Sequence, residues 1–130
     1  METRYQNFLS AGLTGRIVTA AVNVHRELGP GLLENAYRTC LVHELVSAGH
    51  RVETEVPVPI AYRAVHLDVG YRADLIVDNE VMVELKAVER LLPIHEAQLL
   101  TYLKLRKLRV GLLLNFNSTS IRHGIRRLAR

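Results

Sequence analysis

The chain of 130 residues has no tryptophan, only two phenylalanines and a single cysteine. Aromatic residues make up 5% of it, which disfavours an aromatic stacking platform for single-stranded nucleic acid. The lone cysteine, Cys40, excludes an internal disulfide framework, and its place in an apolar helical repeat suits a buried structural thiol better than a nucleophile. A reducing, cytoplasmic location is the matching expectation. No apolar run approaches the roughly 18 residues of a membrane-spanning helix, so no membrane partner is expected. The opening "METRYQNFLSAGLTGR" places polar and acidic residues where a signal peptide would carry a basic segment and then an apolar one. The six histidines are scattered, with no i, i+4 pair on one helix, which disfavours a zinc site.

What is present fits one ordinary domain, residues 1–130, with residues 1–15 expected to be a flexible lead-in. A chain of this length buries roughly two-thirds of its unfolded surface. Its hydrophobic fraction of 48% and mean hydropathy of +0.08 suit a soluble globular protein. The net charge of +4 is unevenly spread. Eight Lys or Arg and no acid fall in residues 101–130, whereas all thirteen acids lie before them. Among these cations, Lys104, Lys107, Arg122, Arg126 and Arg127 are candidates for contact with a polyanion, since phosphate contacts release counterions and bind without regard to sequence. A solvated helix face and tail explains the same residues equally well.

Apolar spacing predicts a helix over 17–28, halted by Gly29-Pro30-Gly31, and a second from about Leu32 to Ala48 ending at Gly49. In the second helix Leu33, Ala36, Cys40, Leu41 and Leu45 form the expected apolar set, with Glu34, Tyr37 and Glu44 along a neighbouring stripe. The alternation from Val52 to Tyr62 reads as one strand, with Pro57 and Pro59 requiring an edge or a bulge. A hairpin follows, then a helix opened by Pro93, in which Gln98 and Tyr102 share a face. "RVGLLLNF" reads as a buried strand, and "SIRHGIRRLA" as either an edge strand or a basic helix. The order is ααβββαβ with one uncertain C-terminal element, a pattern that builds a mixed α/β sheet covered by helices.

The hairpin "RADLIVDNEVMVELKA" sets charges inside two apolar runs. Strand alternation puts Ala73, Leu75 and Val77 on one face, with Arg72, Asp74 and Ile76 on the other; in the second run Glu84 and Lys86 share a face with Met82. A turn of three residues pairs 74 with 84, so Asp74, Glu84 and Lys86 point into one small volume. Two carboxylates about 4 Å apart repel by roughly 4 kcal/mol at a protein surface. Lys86 and a divalent ion would offset this, and Mg²⁺ takes one or two carboxylates while keeping several waters. Taken alone, the spacing fits a solvated surface strand pair better.

"GLLENAY" (31–37) matches G-x-x-E-x-x-Y, and with "YRADLIVDNEVMVELKAVERL", "HEAQLLTYLKL" and "VGLLLNF" the chain resembles the GxxExxY proteins, a bacterial branch of the PD-(D/E)XK nuclease superfamily. The resemblance runs from about Arg16 to Arg127. It implies a restriction-endonuclease-like core and a metal-dependent nuclease acting on DNA, or less readily RNA. It further implies Mg²⁺ or Mn²⁺ held by Asp74, Glu84, the carbonyl of Leu85 and Glu34, with Lys86 as the catalytic lysine. Tyr37, Gln98 and Tyr102 would border the site. The literal proline of the motif is absent, since Ala73 precedes Asp74. At this size specificity would come from loops, a homodimer or a partner protein. The rival readings are a non-catalytic nucleic-acid-binding or protein-interaction module that keeps the fold, and a structural domain whose charged triad is an ion-pair network.

Overall fold

The computed structural model describes residues 12–130. Helix α1 spans Leu13–Leu28 and buries Ile17, Val18, Ala21 and Val24 along one stripe. It begins inside the stretch 1–15 expected to be a flexible lead-in, and residues 1–11 lie outside the described residues. Gly29, at φ 70°, ends it by donating its N–H to the His25 carbonyl, a backbone setting that suits glycine. Helix α2 is Glu34–Ser47, and its buried stripe is Tyr37, Leu41 and Leu45. Leu33, assigned to the apolar set, precedes the helix and is 83% exposed. Tyr37 belongs to the inward face and Glu34 to the outward one.

The strands are β1 (Val52–Pro57), β2 (Ile60–Tyr62), β3 (Val65–Leu67), β4 (Arg72–Val77) and β5 (Val81–Lys86). Helix α3 (Pro93–Arg106), β6 (Val110–Asn115), a 3-10 turn (Ile121–Gly124) and β7 (Ile125–Ala129) complete the order. The continuous strand expected over 52–62 is instead two, because Val58 turns into the core and Pro59 has no N–H to extend a ladder. The chain after it forms a small separate hairpin, β2 with β3, around Arg63 at φ 53°. The C-terminal stretch is an edge strand rather than a basic helix.

The main sheet has the order β1-β4-β5-β6-β7, antiparallel throughout except for β5 against β6. That parallel pair is joined through α3, the crossover a parallel pair requires. β1 lies at an edge, where Pro57 removes no central ladder bond. α1 and α2 cover one face, closing over Leu75, Val77, Val83, Leu85, Leu112 and Leu114. α3 covers the other through Leu99, Tyr102 and Leu103 against Ile76, Met82 and Leu113. β5 and β6 are therefore buried on both faces, which explains their continuous apolar text. No helix among the described residues is long and apolar enough to cross a membrane.

Candidate active site at the open end of the sheet

The β4–β5 turn has Asp78 and Asn79 at φ 52° and 55°, closed by Glu80 N–H to the Val77 carbonyl at 3.0 Å. Consecutive left-handed residues make the turn that matches the twist of a tight hairpin. The ladder pairs Val77 with Val81, Ile76 with Met82 and Leu75 with Val83. Carried one step further, this register sets Asp74 opposite Glu84. There the backbone ladder gives way to side chains. The Asp74 N–H donates to Glu84 Oε1 at 2.9 Å, and the Leu85 N–H donates to Asp74 Oδ2 at 2.8 Å.

The even alternation expected for 73, 75 and 77 fails at this point. Leu75 and Val77 pack under α1 and α2, whereas Ala73 packs with Ile76 on the α3 side. The change of side falls between Ala73 and Leu75, where pairing between β1 and β4 skips both Asp74 and Glu55, the latter at φ 49°. It turns the Asp74 carboxylate towards α2, where Arg38 Nη1 stands 3.6 Å from Oδ1. Glu34, Asn35, Arg38, Asp74 and Leu85 line a cleft of about 150 Å³.

The electrostatics are those of crowded carboxyls. Glu84 is 6% exposed. Burial, then the charge of Asp74, pushes its carboxyl up to about 8, while the Asp74 N–H and Lys86 pull the other way. Burial also raises Asp74, against the Leu85 N–H, Arg38 and Lys86. Glu34 is raised by burial and by the charge of Asp74. The charge of Lys86 lowers all three carboxyls. Lys86 ends β5, and Asn115 ties down the segment after it. The Asn115 amide accepts from the Val88 N–H at 3.1 Å and donates to the Val88 carbonyl at 2.9 Å, with the side chain only 1% exposed.

Other expected site residues are placed as follows. Gln98 Nε2 donates to the Tyr102 hydroxyl at 3.2 Å. Tyr102 is raised by burial, against its Gln98 hydrogen bond, with the charges of Glu84 and Asp74 adding to the rise. Tyr37 does not reach the cleft. Its ring is buried and stacked on Phe116 at 4.7 Å, and its hydroxyl donates to the Gly29 carbonyl at 2.6 Å and accepts from the Leu32 N–H at 3.0 Å. It fixes the loop that leads into Glu34.

The basic candidates do not form one patch. Arg126 and Arg127 are successive residues of β7 opposite Leu113 and Leu112, which belong to the two different faces. Arg122 borders a separate cleft with Val22, Ser120 and Ile121, while Lys104 and Lys107 lie at the end of α3, exposed. Sequence reasoning missed Arg38, Glu55 and Asn115. Arg38, one turn beyond Glu34 on the same helix face, carried a usable signal.

Among the described residues no group of three or more His, Cys, Asp and Glu is gathered closely enough to hold a metal ion. The donor chemistry nevertheless fits a hard divalent cation. The carboxyls of Asp74, Glu84 and Glu34 are oxygen donors whose mutual repulsion such an ion would relieve.

The model of the PD-(D/E)XK nuclease superfamily matches residues 11–128, and the chain belongs to that superfamily. The mixed sheet flanked by helices is its restriction-endonuclease-like fold. No curated protein and no solved structure matches the chain.

Proposed function

We propose that this protein is a cytoplasmic, Mg²⁺-dependent nuclease of the GxxExxY branch that hydrolyses phosphodiester bonds in DNA, with RNA as the second substrate. The observation that carries the proposal is the break in the β4–β5 ladder, where Asp74 and Glu84 meet beside Lys86 and Glu34. Asp74, Glu84 and Glu34, with the Leu85 carbonyl, would hold Mg²⁺ or Mn²⁺. Bound there, the ion supplies Lewis acidity and lowers the pKa of its water.

The remaining chemistry falls to the chain's own groups. Lys86 orients the attacking water and offsets negative charge as it builds on the phosphoryl oxygens. Gln98 and Tyr102, hydrogen-bonded to each other, would border the site and position the backbone of the substrate. Arg122, Arg126, Arg127, Lys104 and Lys107 add salt-sensitive phosphate contacts. Because Arg126 and Arg127 face opposite sides, only one of them serves any single groove. Loops, a homodimer or a partner protein would supply specificity.

A second reading, a binding module that keeps the fold without catalysis, is favoured by one feature. The Asp74 carboxylate is already engaged by the Leu85 N–H and Arg38. Purified protein with Mg²⁺ is offered linear, nicked, branched and single-stranded DNA. The nuclease cuts at least one, and Asp74→Ala and Lys86→Ala each lose the cutting. Salt-sensitive binding with no metal-dependent turnover selects the binding module, and cutting that persists in both variants removes the site from the account.

A further inference from the structure

Arg38 lies one helical turn beyond Glu34 and is gripped from three sides. Its guanidinium donates to Asn35 Oδ1 at 2.6 Å, pairs with Glu55 Oε1 at 3.0 Å and stands 3.6 Å from Asp74 Oδ1. The grip involves backbone strain. Glu55 is a strand residue at φ 49°, opposite Asp74 in the β1–β4 register, and both residues drop out of the pairing. A left-handed non-glycine residue is strained and persists only where its surroundings hold it. From this position the Glu55 carboxylate, its side chain 62% exposed, reaches Arg38.

The charges around the cleft can be counted. Glu34, Asp74 and Glu84 are three carboxyls and Arg38 and Lys86 two cations, and the Glu55 carboxylate, its side chain 62% exposed, pairs with Arg38 as a fourth. With all of them ionised, the balance is two negative charges, which one divalent ion neutralises. A second ion would leave two positive charges in a partly buried space, an unfavourable arrangement.

We infer that Arg38, braced by Asn35 and Glu55, supplies the positive charge that a second metal ion would otherwise bring, so that the site takes one divalent cation per chain. This rests on the metal-dependent reading above. Arg38 acts on that cation's site through its charge, held 3.6 Å from the Asp74 carboxylate.

The test counts ions rather than turnover. Metal-free full-length chain is titrated with Mn²⁺, and free Mn²⁺ is read by electron paramagnetic resonance. The wild-type chain binds one Mn²⁺. Arg38→Gln, which removes the charge and keeps a hydrogen-bonding side chain, binds its first ion at least tenfold more tightly or gains a second. Arg38→Lys retains wild-type stoichiometry and affinity. The sign separates this role from a structural one, because an arginine that merely placed Asp74 would weaken Mn²⁺ binding when removed. Two ions on the wild-type chain, or unchanged or weaker binding by Arg38→Gln, overturns the inference and leaves the nuclease reading standing. No Mn²⁺ bound by the wild-type chain overturns both, and metal-dependent cutting is then absent as well.

Discussion

The proton on Glu84 gives the most direct test of the site's electrostatics. In the metal-free protein this carboxyl is raised from 4.5 to about 8, by burial first and then by Asp74. Between those values the folded state keeps a proton that the unfolded chain has released, so folding stability is highest at low pH and falls as pH rises through the window. Each pH unit is worth 1.36 kcal/mol for one fully shifted group, so the loss between pH 5.5 and 7.5 is about 2–3 kcal/mol. Glu84→Gln keeps the shape and cannot ionise. Urea unfolding in EDTA, followed by circular dichroism across that range, shows the stability of Glu84→Gln relative to wild type increasing by about 2–3 kcal/mol as pH rises. Taking the difference between the two proteins removes groups remote from the site and leaves Glu84 together with the carboxyls coupled to it. A difference constant with pH refutes the proposed crowding of carboxyls.

Two further substitutions test the supports of the site. Tyr37→Phe removes the hydroxyl that joins the Gly29 carbonyl to the Leu32 N–H; it lowers stability by about 1–3 kcal/mol in the same unfolding assay, and the freed loop before Glu34 weakens Mn²⁺ binding. Asn115→Ala strips both amide partners from Val88, leaving its backbone groups unpaired in a half-buried setting; stability falls by about 2–3 kcal/mol, and hydrogen exchange speeds up at Val88.

Much of this architecture was legible because it rests on local pattern. The hairpin register followed from a turn of three residues between alternating runs, which is why Asp74 and Glu84 could be set opposite each other. β6 announced itself as continuous apolar text. The division of 52–62 into separate strands was hidden because the alternation runs unbroken through Val58 and Pro59, and the turn at Arg63 uses a left-handed residue that is not glycine. Tyr37 was misplaced through its signature, although the four-residue spacing of Tyr37, Leu41 and Leu45 marks the inward stripe. Arg38, Glu55 and Asn115 owe their importance to partners distant in the chain, Asp74 and Val88 among them. No local periodicity reports such contacts.

At the point where β4 and β5 part, two carboxylate side chains do the work that main-chain carbonyls do elsewhere in the sheet. The spacing between the strands there is therefore set by the reach of one aspartate and one glutamate. Exchanging either for its homologue, one methylene shorter or longer, moves backbone as well as charge, so a swap that looks mild on paper is a change of scaffold.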